Sequence, residues 1–488
     1  MALAGVGAVS ATAACGADAG RSPVRVGPES PAVAVAERAR EQAVGSGRAT
    51  TATLTARQST VDLGGVRVST WTYGDKLPGQ EIRLRRGDTL RAEVINELPQ
   101  DTSVHWHGIA LRNDMDGVPG LTQDPIGTRD AFTYDFVVPD AGTHWFHPHV
   151  GMQFDRGLYA PLIVEDPEDG DGYDLEAVLV LDDWVDGVDG RTPERELAAL
   201  ESSGMSMTGM SMGEMQADPA TPLGPDTGDV RYPYYLINGR LDTDPMTLQA
   251  AVGQRIRLRI INAGADTAFR FAVGDHRMTV THSDGYPVEP VECASLLVGM
   301  GERYDVVVTV ADGVFPIVAS AEGKQGQGRA LLRSGTGEAP ERTVTVPELA
   351  GAPLTGLDLR ATDSARLDER RPDRSHDMFL GMDMSGYTWT INGQTYDTHA
   401  PLEVRQGQRV RLRMVNQTAM FHPMHLHGHT FQVDDGRGTG PRKDTVLVLP
   451  NRSVTVVLDA DNPGQWLLHC HNLYHGEAGM MTSMSYVD

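Results

Sequence analysis

The sequence predicts an all-β protein made of three related domains, and three observations support that prediction. Residues 255–260 and 409–414 alternate charged and apolar side chains, which is the two-residue period of a strand with one buried face. The 488 residues include 54 glycines and 29 prolines with only 6% aromatic residues, a composition typical of turn-rich β proteins. The chain also contains a short sequence pattern that occurs three times at matching offsets.

A glycine followed nine residues later by an asparagine occurs three times, as Gly87 to Asn96, Gly253 to Asn262 and Gly407 to Asn416. Nine residues further on stand His105, Phe271 and His425, and two residues beyond those stand His107, Val273 and His427. The outer two copies therefore carry a His-x-His pair that the middle copy lacks. Three β-domains, with metal sites in the outer two, follow from this repeat.

The domain boundaries follow from the repeat and from shifts in composition. We expect residues 1–50 to hold the remnant of an export signal and a loose tether, with a helix near 36–44. The three β-domains are expected at 51–170, 171–345 and 376–488, with a Pro-, Asp- and Arg-rich linker at 346–375. Further strands are predicted at 81–95, 132–138, 177–181, 304–310 and 453–458.

Charge and cysteine content limit the partners and the compartment. The formal net charge of -24 argues against nucleic acid and anionic membranes and favours cationic partners. Cys15, Cys293 and Cys470 lie far apart in the sequence, so no disulfide framework is indicated. The small apolar residues before Cys15 resemble the end of a lipoprotein export signal, which predicts a secreted or lipid-anchored protein; the alternative is a disordered leader. No other apolar run approaches the roughly 20 residues of a membrane span.

The C-terminal segment carries soft and borderline metal ligands at regular spacing. Cys470, His475 and Met480 are the thiolate, imidazole and thioether of a blue-copper site, which also requires a second histidine. His469 and His471 flank the cysteine, and neighbouring side chains of a strand point to opposite faces. These two histidines are therefore expected to bind a different metal from the one that Cys470 binds.

Four histidine clusters stand out, and repeat offsets relate them. They are His105-Trp106-His107, His147-Pro148-His149, the segment containing His422, His425 and His427, and His469-Cys470-His471. Imidazole suits copper. Gly142 precedes His147 by five residues, as Gly464 precedes His469, so the second and fourth clusters are also related copies. Eight paired imidazoles can then share one cluster between the outer domains, and His422 remains to complete the blue-copper set.

These motifs resemble the multicopper oxidases, the family of laccases and copper-efflux oxidases, over nearly the whole chain after residue 50. The resemblance implies three consecutive cupredoxin-like Greek-key β-sandwich domains that hold four copper ions. It implies type 1 copper at His422, Cys470, His475 and axial Met480, type 2 copper at His105 and His425, and a type 3 pair at His107, His147 and His471 and at His149, His427 and His469. The six other histidines match no ligand position: His144, His276, His282, His376, His399 and His429.

The resemblance also implies an activity. A reducing substrate would give up electrons one at a time at type 1 copper, and four electrons passing through Cys470 would reduce O₂ to water at the other three ions. Asp116 resembles the family's proton donor, although an Asp-Gly turn explains the same residues. The alternative function is a non-catalytic protein of the same fold that sequesters copper.

The reducing substrate is suggested by a methionine-rich segment. Residues 204–215 place five methionines among glycines and serines, at Met205, Met207, Met210, Met212 and Met215. Thioethers select Cu(I), so the segment predicts a cuprous-ion arm; a disordered low-complexity loop is the alternative. The copper-efflux enzymes usually carry such a segment in the third domain rather than the second. Phenols and aromatic amines therefore stay open as substrates.

Overall fold

The computed structural model describes residues 24–166, 168–170, 172–203, 218–344, 346–383 and 386–488. Strands dominate this part of the chain, and its α-helices are Pro31–Val44 (α1), Pro193–Ser203 (α2) and Leu473–Glu477 (α3). Short 3-10 helices occupy Asn113–Met115, Phe154–Arg156, Pro347–Leu349, Gly356–Asp358 and Tyr396–Thr398. The all-β prediction is confirmed.

The first sandwich contains two four-stranded sheets with the orders β2-β1-β4-β6 and β3-β8-β7-β5. Its strands are Ala49–Asp62 (β1), Arg67–Tyr73 (β2), Ile82–Arg85 (β3), Thr89–Asn96 (β4), His105–His107 (β5), Ala131–Val137 (β6), Gly142–His147 (β7) and Ala160–Glu165 (β8). One apolar core, which includes Leu90 of one sheet and Leu162 of the other, lies between them.

The second sandwich has the sheet orders β10-β9-β12-β17-β14-β15 and β11-β19-β18-β13-β16. Its strands are Leu175–Trp184 (β9), Tyr234–Ile237 (β10), Thr247–Gln249 (β11), Arg255–Asn262 (β12), Phe269–Val273 (β13), Met278–Ser283 (β14), Tyr286–Cys293 (β15), Leu296–Val298 (β16), Arg303–Thr309 (β17), Val314–Ala321 (β18) and Gln327–Arg333 (β19). Phe271 and Val273, which replace the His-x-His pair, are fully buried in its core.

The third sandwich has the orders β21-β20-β23-β28-β25-β26 and β22-β30-β29-β24-β27. Its strands are Arg374–Asp383 (β20), Thr388–Ile391 (β21), Leu402–Val404 (β22), Arg409–Asn416 (β23), His422–Leu426 (β24), Phe431–Val433 (β25), Arg442–Lys443 (β26), Thr445–Val448 (β27), Ser453–Asp459 (β28), Gln465–Cys470 (β29) and Met481–Tyr486 (β30). In each sandwich the first strand pairs in parallel with the repeat strand: β1 with β4, β9 with β12, and β20 with β23.

The repeat asparagines close the same turn in every copy. Asn96, Asn262 and Asn416 end β4, β12 and β23, and each side chain donates from Nδ2 to two or more carbonyl oxygens further along the chain. Each Oδ1 also accepts from the amide two residues on, at 2.9 Å. The asparagine therefore fixes the loop that leads into the strand at which the His-x-His pair of each outer domain begins.

The expectation of a loose tether before residue 50 is wrong for the residues from 24 onward. The amide of Val26 donates to Tyr486 O at 2.8 Å, and Arg40 of α1 donates to Asn462 Oδ1 at 3.0 Å. Glu37 on the same helix accepts from the amide of Val137 at 3.2 Å. The segment is held in place because α1 lies against both the first and the third sandwich.

The structure also differs from two further sequence predictions, the strand at 81–95 and the linker at 346–375. The run 81–95 forms two strands rather than one, because Gly87 adopts a left-handed turn with φ 83° between β3 and β4. The expected linker 346–375 packs along the second sandwich, where Leu354 O accepts from the amide of Leu297 at 2.8 Å.

Cys15 and the methionine-rich segment 204–215 lie outside the described residues. Within the described part of the chain, no helix has the length and apolarity needed to cross a membrane.

Candidate metal centre

The histidine pairs lie on matching strands of the first and third sandwiches. β5 pairs with β7 so that His105 is opposite His147, and β24 pairs with β29 so that His425 is opposite His469. Asn113 joins the two domains here, since its Nδ2 donates to Gln465 O at 2.6 Å and its Oδ1 accepts from the Gln465 amide at 3.0 Å. The four clusters therefore meet at one interface.

The rings at this interface are arranged crosswise. His105 stacks on His427 with ring centroids 3.6 Å apart, and His107 stacks on His425 at 3.7 Å. The first histidine of each pair thus faces the second histidine of the other domain, which is the relation expected of two copies about a pseudo-twofold axis. The structure brings together all eight predicted imidazoles: His105, His107, His147, His149, His425, His427, His469 and His471.

Ligand atoms converge into groups within 4.8 Å of one another. The groups are His105, His107 and His425; His107, His147 and His471; and His149, His427 and His469. The closest pairs of Nε2 atoms are His105 with His425 at 3.4 Å and His427 with His469 at 3.2 Å. Two ligand atoms that share one ion, each about 2 Å from it, lie about 3–4 Å apart.

In six of the eight rings, all except His149 and His471, one ring nitrogen is bonded to a protein oxygen. The Nδ1 atoms of His147 and His469 donate to the carbonyl oxygens of Pro148 and Cys470 at 3.0 and 2.9 Å. His425 Nδ1 donates to the carbonyl oxygen of Asp444 at 3.0 Å. Such contacts fix the proton on Nδ1 and leave Nε2 unprotonated, with a lone pair that can bind a metal.

The inner nitrogens, by contrast, fit a bound metal. His107 Nδ1, His147 Nε2, His149 Nε2 and both nitrogens of His471 are buried and have no hydrogen-bond partner among the described residues. Buried polar atoms are almost always satisfied, and two lone pairs facing each other at 3.2–3.4 Å repel unless a cation lies between them. The donor set therefore fits copper.

Burial keeps these rings neutral. It lowers the pKa of His107, His147, His149, His427, His469 and His471 well below the ordinary value, and the neighbouring imidazoles lower it further. Neutral imidazole is the form that binds metals.

The second site combines Cys470 with two histidines. Cys470 Sγ lies 3.7 Å from Nδ1 of His422 and 3.7 Å from Nδ1 of His475, and these two nitrogens are 3.2 Å apart. Thr418 Oγ1 binds the outer nitrogen of His422 at 2.8 Å. Burial raises the pKa of the Cys470 thiol, so the thiolate requires a bound cation.

A short helix explains the five-residue spacing of this site. Asn472 caps α3 by accepting from the amides of Tyr474 and His475, which turns His475 back toward Cys470. The fully buried Met480 then follows, with its amide bonded to His475 O at 2.9 Å and its carbonyl oxygen accepting from the Cys470 amide at 3.0 Å. The structure thus places the backbone of Met480 beside both Cys470 and His475.

Asp116 lies where a carboxylate can serve the histidine cluster. Its Oδ2 accepts from His427 Nδ1 at 3.0 Å, and its carbonyl oxygen accepts from His105 Nδ1 at 2.9 Å. The side chain is fully buried, and its Oδ1 has no hydrogen-bond partner among the described residues although it is 3.2 Å from His105 Nδ1. Asp116 therefore bridges one stacked histidine pair.

Asp444 bridges the other stacked pair, and the sequence analysis missed it. Its Oδ1 accepts from His107 Nε2 at 3.1 Å and lies 3.4 Å from His425 Nδ1. Burial opposes ionisation, but the Arg303 guanidinium and the two histidines hold the pKa of this carboxyl well below its usual range. The available signal was the run Arg442-Lys443-Asp444 inside apolar strands, where charges need buried partners.

Asp229 is a second residue that was missed, at the other end of His475. Its Oδ2 accepts from His475 Nε2 at 3.0 Å and from the Tyr387 hydroxyl at 2.6 Å. The side chain keeps 14% of its surface exposed, so this contact joins the buried ring to the solvent. No sequence pattern indicates this role, because Thr227-Gly228-Asp229 has the composition of an ordinary turn.

A small cavity of about 20 Å³ adjoins the histidine cluster. His147, His149, His469 and His471 line it, with Phe154 and Glu477 at its wall. A volume of this size holds a molecule about as large as water.

Three multicopper oxidase family models match the chain, at residues 55–169, 176–337 and 370–488. The chain is 51% identical to the multicopper oxidase MmcO of Mycobacterium tuberculosis (strain ATCC 25618 / H37Rv), over 93% of this chain and 90% of that protein. It therefore belongs to the multicopper oxidase family, and is a copper-binding oxidoreductase that uses oxygen as acceptor.

More distant relatives agree with this assignment. The chain is 28% identical to copper resistance protein A of Escherichia coli, over 88% of this chain and 91% of the relative. Its fold is similar to the crystal structure of the laccase from Botrytis aclada, with a TM-score of 0.74 and 27% identity over 93% of this chain and 90% of that one. These matches support the cupredoxin-like fold predicted for the three sandwiches.

Proposed function

We propose that the protein binds four copper ions, one at the Cys470 site and three in the histidine cluster. The observation that carries this proposal is that six of the eight rings are bonded to a protein oxygen through one nitrogen, while ligand atoms of all eight rings converge in groups within 4.8 Å. Type 1 copper is assigned to His422, Cys470, His475 and Met480, type 2 to His105 and His425, and the type 3 pair to His107, His147 and His471 and to His149, His427 and His469. Bound copper would supply one-electron oxidation of a substrate and four-electron reduction of O₂ to water.

The chain itself connects the two sites. Cys470 is joined by peptide bonds to His469 and His471, and its carbonyl oxygen accepts from His469 Nδ1 at 2.9 Å. This is a short bonded path for electrons from the thiolate to the histidine cluster. The cavity between His147, His149, His469 and His471 is the place where O₂ would reach the cluster.

Asp116 is assigned the delivery of protons. It is bonded to one ligand histidine through each of its side-chain and main-chain oxygens, and Oδ1 remains free to hold a proton. No Lys or Arg side chain of the described residues forms an ion pair with it, so protonation leaves no buried cation without a partner. A positioned carboxyl group of this kind is a general acid.

Electrons are proposed to enter at His475 through Asp229, with cuprous ion as a substrate. Asp229 and the neighbouring Asp226 form an acidic edge that attracts a cation, and the methionine-rich segment 204–215 ends eleven residues before Asp226 in the sequence. Phenols and aromatic amines could give up electrons at the same edge.

An extracytoplasmic location, through secretion or lipid attachment at Cys15, is part of this proposal.

The substrate is tested by steady-state O₂ uptake with Cu(I) and with a small phenol, for the full chain and for a variant without residues 204–215. A second variant replaces the five methionines with leucine. It keeps the length and apolarity of the segment and removes only the sulfur atoms, so it separates the effect of the thioethers from that of chain length. If the segment collects Cu(I), both variants lose cuprous turnover and keep phenol turnover. Parallel loss of both activities, or loss of neither, would contradict the cuprous-ion arm.

A further inference from the structure

The copper-free second sandwich contacts the histidine cluster directly. Its loop before β17 places Gly301 against two ligand histidines, with φ 82°. A Cβ atom at this position would lie 2.9 Å from His471 Cδ2 and 3.1 Å from His107 Cε1. The backbone of the second sandwich is therefore part of the wall that holds these rings.

Arg303, two residues further on, joins all three domains. Its Nη1 and Nη2 donate to the two oxygens of Asp444 in the third sandwich at 2.7 and 2.6 Å. Its Nε donates to Thr143 O of the first sandwich at 3.0 Å. The side chain is completely buried. This parallel pair of bonds fixes both the position and the rotation of the Asp444 carboxylate.

The orientation of the Asp444 carboxylate determines which nitrogen of His107 carries the proton and which can bind a metal. Asp444 Oδ1 accepts from His107 Nε2 at 3.1 Å and from Thr445 Oγ1 at 2.8 Å, so the proton of His107 stays on Nε2 and its Nδ1 faces the cluster. The space around the contact is filled, because a Cβ atom on Gly108 would lie 2.8 Å from Asp444 Oδ2 and closer still to Arg303 Nη2.

We propose that Arg303 is a positioning residue for the copper cluster, and that the second sandwich acts on the cluster through Arg303, Asp444 and His107. The proposal rests on the copper assignment made above. Arginine is required because its planar fork matches a carboxylate at two points, whereas a lysine ammonium is a point charge that leaves the carboxylate free to rotate. The buried charges next to this contact are Asp284, 3.5 Å from Arg303 Nη1, and Lys443, which is 3.1 Å from both Asp284 and Glu302.

The experiment compares Arg303→Lys with Arg270→Lys. Arg270 is the matched control, a buried arginine of the same sandwich that donates bidentately to Glu322 but contacts no copper histidine. For each copper-loaded variant, competition with a chelator measures copper retention, electron paramagnetic resonance follows type 2 copper, and absorbance follows type 1 copper. Thermal unfolding of the copper-free proteins reports on stability.

The proposal predicts that Arg303→Lys retains type 2 and type 3 copper about 10- to 100-fold more weakly, the usual effect of losing a residue that orients a ligand. The type 1 absorbance should stay at the wild-type value, and Arg270→Lys should change neither. In the Asp444→Asn background, Arg303→Lys should add no further loss, because both act on the same contact.

Equal loss of all four ions in the two lysine variants would show that Arg303 only holds the domains together, and would overturn the proposal. Unchanged type 2 and type 3 retention in Arg303→Lys would also overturn it. Either result is separable from failure of the copper assignment, since that failure would appear as wild-type protein without four ions.

Discussion

The type 1 site and its counterpart in the first sandwich have the same plan and different chemistry. Measured from the repeat histidines, the matched positions are Thr102 and His422, Pro148 and Cys470, Gln153 and His475, and Leu158 and Met480. In the first sandwich, Thr102 Oγ1 donates to Gln153 Oε1 at 2.7 Å, and Leu158 is buried in the core. In the third, two histidine nitrogens face each other at 3.2 Å beside a thiol.

This difference shows what the fold contributes and what the residues contribute. Both sandwiches bring the same backbone positions together, so the fold alone does not define a metal site. The first sandwich fills the position with a Thr102–Gln153 hydrogen bond and an apolar side chain. In the third, the Nδ1 atoms of His422 and His475 face each other and the Cys470 thiol, an arrangement that fits a bound cation.

The two carboxylates of the cluster differ in the same way. Asp444 is locked by the Arg303 guanidinium, whereas Asp116 forms no ion pair with any Lys or Arg in the described part of the chain. One carboxylate is therefore suited to orienting a ligand and the other to carrying a proton.

The largest expected effect comes from removing the thiol from the third-sandwich site. Cys470→Ser should abolish the blue colour and all substrate oxidation, because hydroxyl oxygen does not give the sulfur-to-copper charge transfer. Absorption spectra and O₂ uptake measure both effects. A serine variant that still absorbs strongly near the red end of the visible spectrum would refute the assignment.

Asp116→Asn should lower O₂ turnover by about 10²- to 10⁴-fold, the usual contribution of a general acid. The amide keeps the shape but cannot deliver a proton. Reduction of the type 1 centre by substrate without oxygen should proceed at the wild-type rate, which serves as the internal control. Turnover within twofold of wild type would mean that another group supplies the protons.

Met480→Leu places the first-sandwich residue at the matched position of the third. The variant should stay blue and active with a higher type 1 potential, because a weak donor to Cu(II) is lost. A redox titration measures the change. An unchanged potential would indicate that Met480 is not the axial ligand.

The smallest effect is expected in the first sandwich. Thr102→Val leaves Gln153 Oε1 buried without a donor and should destabilise that domain by about 1–3 kcal/mol. Copper content should not change, because no ligand is touched. Denaturant unfolding and metal analysis test the two parts, and a loss of copper would show that the two sites are coupled.

The sequence predicted which histidines converge between the outer sandwiches, because each pair lies in a short motif whose spacing repeats. It could not predict Arg303, Asp444 or Asp229, whose partners are distant: 141 residues separate Arg303 from Asp444, and 246 separate Asp229 from His475. Such contacts depend on how the domains pack, which no local pattern encodes. The docking of α1 was missed for the same reason, since its composition resembles that of an exposed helix.

The central claim is that the chain holds one copper ion at Cys470 and three between the outer sandwiches. It is tested most directly by counting copper per chain in the wild type and in Cys470→Ser, with spin resonance to distinguish the types. Four ions are expected in the wild type and three in the variant, with the type 2 signal unchanged. Equal counts in the two proteins, or loss of the type 2 signal together with type 1, would contradict it.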